Sequence, residues 1–251
     1  FQQQFAYRAA TLAGLFTNSI FGVMIASIFL AFNASQDEGS VASWTRDETV
    51  TLIWINQSLL MTVFIWGWWE VTRSIQTGAI ISELLKPFDY FAYWLSRDLG
   101  RALAHFLLRG IPTFIVGAIF FNLLPPAGIA AALGFLGSIA LAVSISLCLR
   151  FLANLAGFWV LDHRGVSMMY VAIFNFFSGM LAPLDFLPES AQTIARFLPF
   201  QAVLMVPNEI YLGRTPVWQG LAIQLVWIAI LVVIVKQVLR AGEQKLVVQG
   251  G

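Results

Sequence analysis

The side chains best able to do chemistry in this 251-residue chain are concentrated in one short stretch, SELLKPFDYFAYWLSRDLGR, at residues 82–101. Six of its twenty side chains are charged, whereas only 11% of the whole chain is charged. Acids and bases alternate there among aromatic rings, without histidine or cysteine, so the chemistry that they favour is recognition through ion pairs and hydrogen bonds. The stretch is therefore a candidate contact surface for another molecule.

Patterns typical of catalysis and of metal binding are absent from the sequence. It contains no GxxxxGK[ST] phosphate loop, no HExxH pair and no GxSxG nucleophile elbow. The two histidines, His105 and His163, are 58 positions apart and have no cysteine or carboxylate at metal-ligand spacing. Cys148 is the single cysteine, which excludes a disulfide within the chain. We therefore expect no cofactor on this chain, and energy for work against a gradient would come from a partner chain.

The composition predicts an all-α integral membrane protein. Hydrophobic residues make up 59% of the chain and the mean hydropathy is +0.80, whereas soluble domains are about 45–50% apolar. A net charge of +1 argues against a nucleic-acid partner, because neutralising phosphates requires clustered basic surface. The opening FQQQFAYRAATLAGLF continues into a long apolar segment, so we expect the first span to be retained.

Six apolar segments approach the length of about 20 residues that a membrane-spanning helix needs. We expect one transmembrane domain over residues 1–251, with spans near 10–32, 50–70, 102–124, 128–150, 166–182 and 217–236. With the amino terminus inside, eleven Lys and Arg residues fall on the inner side and three on the outer side. The excess of basic residues on the cytoplasmic side therefore predicts that both termini are inside.

Mild polarity marks the middle of several spans, and it has two interpretations. No Asp or Glu lies near the middle of a predicted span, which argues against a proton-driven carrier with a buried acid as its relay. The polar side chains either line a translocation path or form hydrogen bonds between helices. The candidate path-lining residues are Asn18, Asn56, Gln57, Asn175 and Ser178.

The fourth predicted span carries small residues at four-residue spacing, and these favour close helix packing in a membrane. We expect this span to lie centrally in the bundle. Arg150 ends the same stripe, and we interpret it as an interfacial arginine that extends toward the membrane surface. A gating or substrate role is the alternative for Arg150.

Five of the nine prolines lie between the fifth and sixth spans, in the segment 183–216. Proline removes a backbone donor and disfavours helix at the preceding residue, so we expect short helices here, such as 189–198 and 201–206. Non-helical backbone is tolerated at membrane depth where it is buried in protein or lines a cavity. The segment is therefore predicted to be re-entrant from the outer side, with an outer gate marked by Pro183, Pro188, Pro199 and Pro207.

The second half of the opening stretch is predicted to form an amphipathic helix that begins after Pro87 and leads into the third span. One stripe of this helix is basic, with Arg97, Arg101, His105 and Arg109 at four-residue spacing. We expect these arginines to pair with lipid phosphates and with Asp98. This interpretation leaves the charges at 83–89 without an explanation.

The order of these features resembles the membrane permease subunit of a type-2 ABC exporter. The resemblance rests on GAIISELLKPFDYFAYWLSRDLGR after the second span and on FFSGMLAPLDFLPESAQTIARFLPFQ before the sixth. It is strongest to the bacterial permeases that pair with a separate drug-exporter-like ATPase, and it covers nearly the whole chain. An outer loop of moderate length, NASQDEGSVASWTRDETV after the first span, has no assigned role.

The resemblance implies a function, partners and a location. The chain would be the permease of an ATP-driven exporter in the bacterial cytoplasmic (inner) membrane, moving a hydrophobic, amphipathic or lipid-like substrate out of the cytoplasm or the inner leaflet. ATP and Mg²⁺ would be bound by two copies of a partner ABC ATPase, and a second permease, identical or related, would complete the unit. The segment 78–101 would contain a coupling helix, with its ATPase contact at Ser82, Glu83, Leu84, Leu85, Lys86, Pro87, Phe88, Asp89 and Arg97.

Two other functional classes compete with this interpretation. A secondary carrier or channel would need no ATPase, and its purification without an accompanying ATPase would favour it. A membrane enzyme acting on lipids would require an acid, a nucleophile or a metal constellation, and the sequence offers none of these.

Overall fold

The computed structural model of the chain describes residues 8–34, 40–41, 43–64 and 68–246. A two-residue strand pair, β1 (Ser40–Val41) and β2 (Trp44–Thr45), precedes the second helix. The α-helices are α1 Arg8–Ala34, α2 Arg46–Val63, α3 Glu70–Gln76, α4 Ile80–Leu84, α5 Tyr90–His105, α6 Ile111–Phe120, α7 Ile129–Leu155, α8 Arg164–Phe177, α9 Glu189–Arg196, α10 Gln201–Leu212 and α11 Val217–Glu243. Helices α5 and α6 are joined by a π-helical turn, Phe106–Gly110, and short 3₁₀ turns occupy Ala156–Phe158 and Leu184–Phe186.

The predicted all-α membrane architecture is confirmed. Within the described residues, four helical runs are long and apolar enough to cross a membrane: Thr11–Phe32, Tyr90–Phe120, Ile129–Phe158 and Val217–Glu243. The helices at the second and fifth predicted spans, α2 and α8, have 18 and 14 residues and do not join that set. Six spans and the N-in, C-in topology therefore stay predictions.

The amphipathic helix predicted to begin after Pro87 and the third predicted span lie in one helical run, Tyr90–Phe120. Helix α5 starts at Tyr90, where the Asp89 side chain accepts a hydrogen bond from the backbone N–H of Ala92 at 2.8 Å. The run reaches Phe120 through the π turn, which ends at Gly110, two residues before Pro112. Proline lacks an N–H and clashes with the carbonyl four residues earlier, and a π turn accommodates such a local change in the hydrogen-bond ladder.

Helix α2 is defined at both ends by local interactions. Thr45 and Glu48 form a capping box, in which the Thr45 hydroxyl accepts from the Glu48 N–H and the Glu48 carboxylate accepts from the Thr45 N–H. At the other end, Phe64 is extended, with φ −122° and ψ 137°. Helix α2 therefore ends at Val63, within the predicted second span at 50–70, and the carbonyls of its last turn need other partners.

Helix α7 lies at the centre of the bundle, as the stripe of small residues predicts. It packs against α11 and α10 and also contacts α2, α3, α5 and α8. Four members of the stripe are buried, namely Gly134, Ser138, Ala142 and Ser146, whereas Ala130 near the start of the helix is exposed. Because small side chains let backbones approach closely, α7 serves as the packing axis for its neighbours.

Hydrogen bonds and ion pairs group the loops at two ends of the bundle. At the end called the lower end here, residues 70–97, 154–164 and 236–246 meet, as in the pairs Thr72–Asn154 and Asp89–Lys236. At the upper end, residues 43–51, 121–128, 183–200 and 209–216 meet, as in the pair Glu48–Arg214. The coupling and gate segments predicted from the sequence thus lie at opposite ends.

Candidate functional site

The candidate site is the segment 82–89 at the lower end, formed by the last residues of α4 and the turn before α5. Most of its side chains are exposed, including Leu85, which is 81% exposed although it is apolar. Glu83 and Leu84 are half-buried. The exposed members are Ser82, Leu85, Lys86, Pro87, Phe88 and Asp89.

The half-buried Glu83 fixes the segment to the bundle. Its carboxylate accepts hydrogen bonds from the Ser74 hydroxyl at 2.9 Å and from the Tyr90 hydroxyl at 3.0 Å. Ser74 belongs to α3 and Tyr90 is the first residue of α5, so one carboxylate links the elements on either side of the segment. Hydrogen bonds to a charged acceptor are stronger than neutral ones, and Glu83 is therefore an anchor of the segment.

Opposite charges surround the segment. Lys236 of α11 lies 3.8 Å from the carboxylate of Asp89, and the Arg97 guanidinium contacts the Glu70 carboxylate at 2.7 and 3.4 Å. Both side chains of the Arg97–Glu70 pair are 49% exposed, and pairs this accessible contribute little stability, about 0–1 kcal/mol. They present accessible charge that a partner protein could engage.

A groove of about 150 Å³ opens beside this pair and reaches the segment itself. Its lining combines charged side chains with aromatic rings. The Arg97 guanidinium lies 4.8 Å from the Trp94 ring centroid, and the Lys86 ammonium lies 5.9 Å from the Phe88 ring centroid. Arginine and aromatic side chains are enriched at protein interfaces, so the composition of the groove suits recognition of a protein.

Behind the segment lies a buried ionic cluster formed by Asp98, Arg101 and Arg150. One carboxylate oxygen of Asp98 is 2.7 Å from Nε of Arg101, and the other is 2.6 Å from Nη2 of Arg150. Asp98 is 6% exposed and Arg150 is 3% exposed. The predicted pairing of Asp98 with an arginine of the stripe is thus confirmed for Arg101.

One expectation is wrong at this cluster. Arg150 does not extend to the membrane surface, because its guanidinium turns inward to Asp98 and lies 5.3 Å from the Trp68 ring centroid. Asp98, in turn, is an acid buried in the first third of a membrane-span candidate, outside the predicted span 102–124. The pairing explains both buried charges, since a charge is buried at acceptable cost when it is paired and hydrogen-bonded.

The cluster also satisfies the end of helix α2. Arg101 donates to the carbonyls of Met61 and Thr62 at 2.6 and 2.9 Å. The hydroxyl of Ser146 donates to the carbonyl of Val63 and accepts from Nε of Arg150 at 3.3 Å. These carbonyls lost their helical partners where α2 ends, and a cation also complements the negative end of the helix dipole.

The same buried network continues into α3. The side-chain amide of Asn154 donates to the Trp68 carbonyl at 3.0 Å, and its oxygen accepts from the Thr72 N–H at 3.1 Å. The Thr72 hydroxyl donates to the Asn154 carbonyl at 3.0 Å. Polar contacts therefore join the central helix α7 to the end of α2 and to the start of α3. Helix α3 is followed in the chain by the candidate site.

The candidate path-lining residues occupy two settings. Asn18 donates to the Gln57 carbonyl at 3.3 Å, and Asn56 donates to the carbonyls of Gly179 and Met180 at 2.8 and 3.3 Å. These contacts match the interhelical alternative. Among the described residues, the side-chain oxygens of three others are buried without a hydrogen-bond partner, namely Gln57, Asn175 and Ser178. A path-lining role stays a prediction.

Three of the four candidate gate prolines lie outside the helices of the upper end. The fourth, Pro207, was expected to end a helix and does not. Pro183 precedes the 3₁₀ turn, Pro188 precedes α9 and Pro199 precedes α10. Pro207, however, lies within α10, which runs to Leu212 instead of ending at residue 206. The side chain of Asn208 supports this helix by donating to the Leu204 carbonyl and to the Asn56 side-chain oxygen, each at 2.8 Å.

An upper-end cluster escaped the sequence reasoning because its members are far apart in the chain. The Trp44 indole donates to Asp185 at 2.6 Å, and the Arg214 guanidinium lies 4.1 Å from the Trp44 ring centroid. Arg214 also contacts the Glu48 carboxylate at 3.1 Å. Although burial acts to raise it, the pKa of Glu48 is lowered overall by hydrogen bonds from Thr45 and Arg214 and by the Arg214 charge. The cluster joins the loop after α1 to the gate segment.

Burial raises the pKa of Glu209 in α10, and the nearby charge of Asp185 adds to this effect. The Thr215 hydroxyl opposes it by donating to the Glu209 carboxylate at 2.7 Å. At the upper end, the pKa of Glu48 in α2 is therefore lowered, whereas the pKa of Glu209 in the gate segment is raised.

Comparison with known proteins gives one family. Residues 21–250 match the family model described as ABC-2 family transporter protein. No curated protein and no solved structure matches the chain.

Proposed function

Because the chain belongs to the ABC-2 family of transporter proteins, we propose that it is the permease subunit of an exporter driven by a separate ABC ATPase. The matched region covers residues 21–250 and so includes the segment 82–89 and the gate segment. The chain contains no GxxxxGK[ST] phosphate loop, so ATP and Mg²⁺ belong to the partner in this proposal. The working unit contains two ATPases and a second permease, identical or related.

The observation that carries the proposal is the exposure of Leu85 and Phe88 between charged side chains on an anchored segment. Leu85 is 81% exposed and Phe88 is 46% exposed. Apolar anchors with charged surroundings are the usual composition of a protein interface, in which a few large side chains contribute most of the binding energy. We assign the ATPase contact to residues 82–89 together with Arg97.

Movement of the ATPase would reach the spans through the buried contacts behind the segment. Glu83 links the segment to α3 and α5, and Asp98 of α5 is paired with Arg150 of the central helix α7. A closely packed helix with paired charges shifts as a unit instead of deforming continuously. Displacement of the segment would therefore be transmitted to α7 and, through its packing against α10, to the gate segment.

The remaining features of the proposal follow the sequence. The lower end faces the cytoplasm, in agreement with the bias of basic residues, and six spans cross the bacterial inner membrane with both termini inside. The upper-end segment 183–216 is the re-entrant gate. The substrate is hydrophobic, amphipathic or lipid-like, since the mid-span polarity is mild and the chain is 14% aromatic.

The proposal is tested by placing a charge at Leu85. We expect Leu85→Asp to reduce co-purification of the ATPase about tenfold or more, because a buried unpaired charge at an interface costs several kcal/mol. Phe197→Asp is the matched control, since Phe197 is an apolar side chain, 78% exposed, at the opposite end. Both variants should reach the membrane in wild-type amounts, measured by quantitative immunoblotting of membranes.

A second pair of substitutions, Glu83→Ala with Lys86→Ala, should reduce transport more than membrane insertion. A double variant that still assembles with the ATPase and keeps full substrate-stimulated ATP hydrolysis would contradict the assigned contact. Purification of the wild-type chain from its native membrane without any ATPase would favour the alternative, a secondary carrier or channel.

A further inference from the structure

Arg109 is a cation within a membrane-span candidate for which the described part of the chain provides no counter-ion. Arg109 is the fourth residue of the π turn Phe106–Gly110, inside the run Tyr90–Phe120. None of the ion pairs formed among residues 8–34, 40–41, 43–64 and 68–246 includes it. Its Nε is buried and has no hydrogen-bond partner there. Arginine inside a membrane is costly unless it is paired or reaches polar groups.

The other arginines of the same stripe differ from Arg109 in this respect. Arg97 pairs with Glu70, and Arg101 pairs with Asp98. Asp98 already serves a second arginine, Arg150, in its buried cluster. Arg97 and Arg101 therefore need no lipid phosphate as a counter-ion. Among the described residues of this stripe, the arginine still without an acid partner is Arg109.

The remaining acids of the sequence do not change this conclusion. Only Asp37 and Glu38 lie outside the described residues, and both follow the last residue of α1, Ala34. Gly14, against which Arg109 packs, lies twenty residues before that end, a distance of about 30 Å at a rise of about 1.5 Å per residue. An external anion is therefore the available partner.

The guanidinium of Arg109 packs against Gly14 of α1. A Cβ at Gly14 of α1 would lie 1.5 Å from Nη2 and 2.2 Å from Cζ of Arg109. The guanidinium thus lies directly on the α1 backbone, in a slot that any larger residue would close. Only 17% of the most apolar part of α1 and 22% of that of the Tyr90–Phe120 run are buried within the chain, so the slot lies between two helices that face the bilayer.

We propose that Arg109, seated on Gly14, binds the phosphate of an anionic phospholipid headgroup in the slot between α1 and the Tyr90–Phe120 run. Guanidinium and phosphate form short, charge-assisted and often bidentate hydrogen bonds. Arg101 and Arg109 of the run, together with Arg150 of α7, outnumber the acid Asp98 with which Arg101 and Arg150 pair, which leaves an excess of positive charge. A net negative headgroup matches that excess better than a zwitterionic one, and the site does not depend on the proposed export function.

The test is lipid titration of the detergent-purified full chain, followed by native mass spectrometry. Phosphatidylglycerol, phosphatidylcholine and inorganic phosphate are titrated separately. We expect phosphatidylglycerol to bind about tenfold more tightly than phosphatidylcholine. Both lipids carry the phosphate, but the choline cation adds positive charge beside the Arg109 guanidinium. One preferred lipid per chain is expected. Arg109→Gln should abolish this preference, and Arg109→Lys should retain part of it.

Two matched controls separate the slot from general effects of charge and packing. Arg240→Gln removes an exposed arginine from another span candidate, α11, and should leave the preference unchanged. Gly14→Ala should reduce it, whereas Gly100→Ala should not, because a Cβ at Gly100 meets nothing within 4 Å.

Thermal unfolding with and without lipid separates loss of lipid binding from loss of folding. Phosphatidylglycerol should raise the unfolding midpoint of the wild type, because a ligand that binds only the folded state stabilises it, and it should not raise that of Arg109→Gln. Equal binding of the two lipids, or an unchanged preference in Arg109→Gln, would overturn the proposal. Saturation of the site by inorganic phosphate with no added affinity for phosphatidylglycerol would overturn its assignment to a lipid.

Discussion

Replacing Asp98 with asparagine removes the only acid of the buried cluster while keeping the shape of the side chain. In the wild type its two carboxylate oxygens lie 2.7 Å from Arg101 and 2.6 Å from Arg150. The variant leaves both guanidinium groups in place. We expect it to destabilise the chain far more than any change to an exposed ion pair.

The magnitude follows from what each arginine retains. Arg101 keeps the carbonyls of Met61 and Thr62, so part of its charge remains solvated by the end of α2. Arg150, only 3% exposed, keeps Ser146 at 3.3 Å and the Trp68 ring, but no acid. Removing one partner of a buried pair costs about 3–5 kcal/mol, and we place Asp98→Asn within this range.

The assay is equilibrium unfolding of the purified chain in detergent, with Glu70→Gln as the matched control. Glu70 also pairs with an arginine at 2.7 Å, yet both partners are 49% exposed, and such a pair contributes about 0–1 kcal/mol. Adding Arg150→Met to Asp98→Asn should recover part of the loss, because it removes the uncompensated charge. A loss below about 1 kcal/mol for Asp98→Asn, equal to that of the control, would refute the cluster's role in stability.

Three further predictions concern the bundle and its upper end. Asn56→Ala should cost about 1–3 kcal/mol in unfolding assays, because it leaves two buried carbonyls after α8 without their donor; no loss would contradict these bonds. Gly117→Ala should cost about 1–3 kcal/mol in the same assay, since its Cβ would lie 2.4 Å from the Trp54 ring; unchanged stability would exclude this contact. The pKa of Glu48 is lowered in the folded chain, so stability should fall as the pH falls from 4.5, the ordinary pKa, through the folded pKa. Thermal unfolding at a series of pH values should show a flatter acid limb for Glu48→Gln, and an identical limb would contradict the Glu48–Arg214 contribution.

Hydropathy and the positions of helix-starting and helix-breaking residues were sufficient to predict much of the helical architecture. The long apolar runs became helices, and the small residues of α7 did mark the central helix. The helix that was predicted to begin after Pro87 begins at Tyr90, with Asp89 as its cap. These features are local, and a local pattern determines them without knowledge of the tertiary structure.

The errors arose where long-range contacts outweighed local preference. Arg150 was expected at the membrane surface, but its acid is contributed by a helix 52 positions earlier in the chain. Pro207 was expected to end a helix, but burial of α10 against α7 keeps it continuous. The bonds of Asn56 with residues 179 and 208 likewise depend on packing that no sequence spacing reveals.

Charge density indicated a contact surface in residues 82–101, and the family resemblance limited it to 82–89 with Arg97, but neither predicted how the segment is divided. Glu83 belongs to the bundle, whereas Leu85 and Lys86 are directed outward. The reason is the pair of hydroxyl donors at Ser74 and Tyr90, which approach Glu83 only once α3 and α5 are packed.

Contact between residues 82–89 and a partner ATPase is best tested by site-specific photocrosslinking in native membranes. A benzophenone amino acid replaces Leu85 at the lower end or, as the control, Phe197 at the upper end; both side chains are more than three-quarters exposed. The probe at position 85 should yield an adduct with an ABC ATPase, identified by its nucleotide-binding peptides in mass spectrometry, and the probe at position 197 should not. Absence of an ATPase adduct at position 85, or equal adducts at both positions, would contradict this contact.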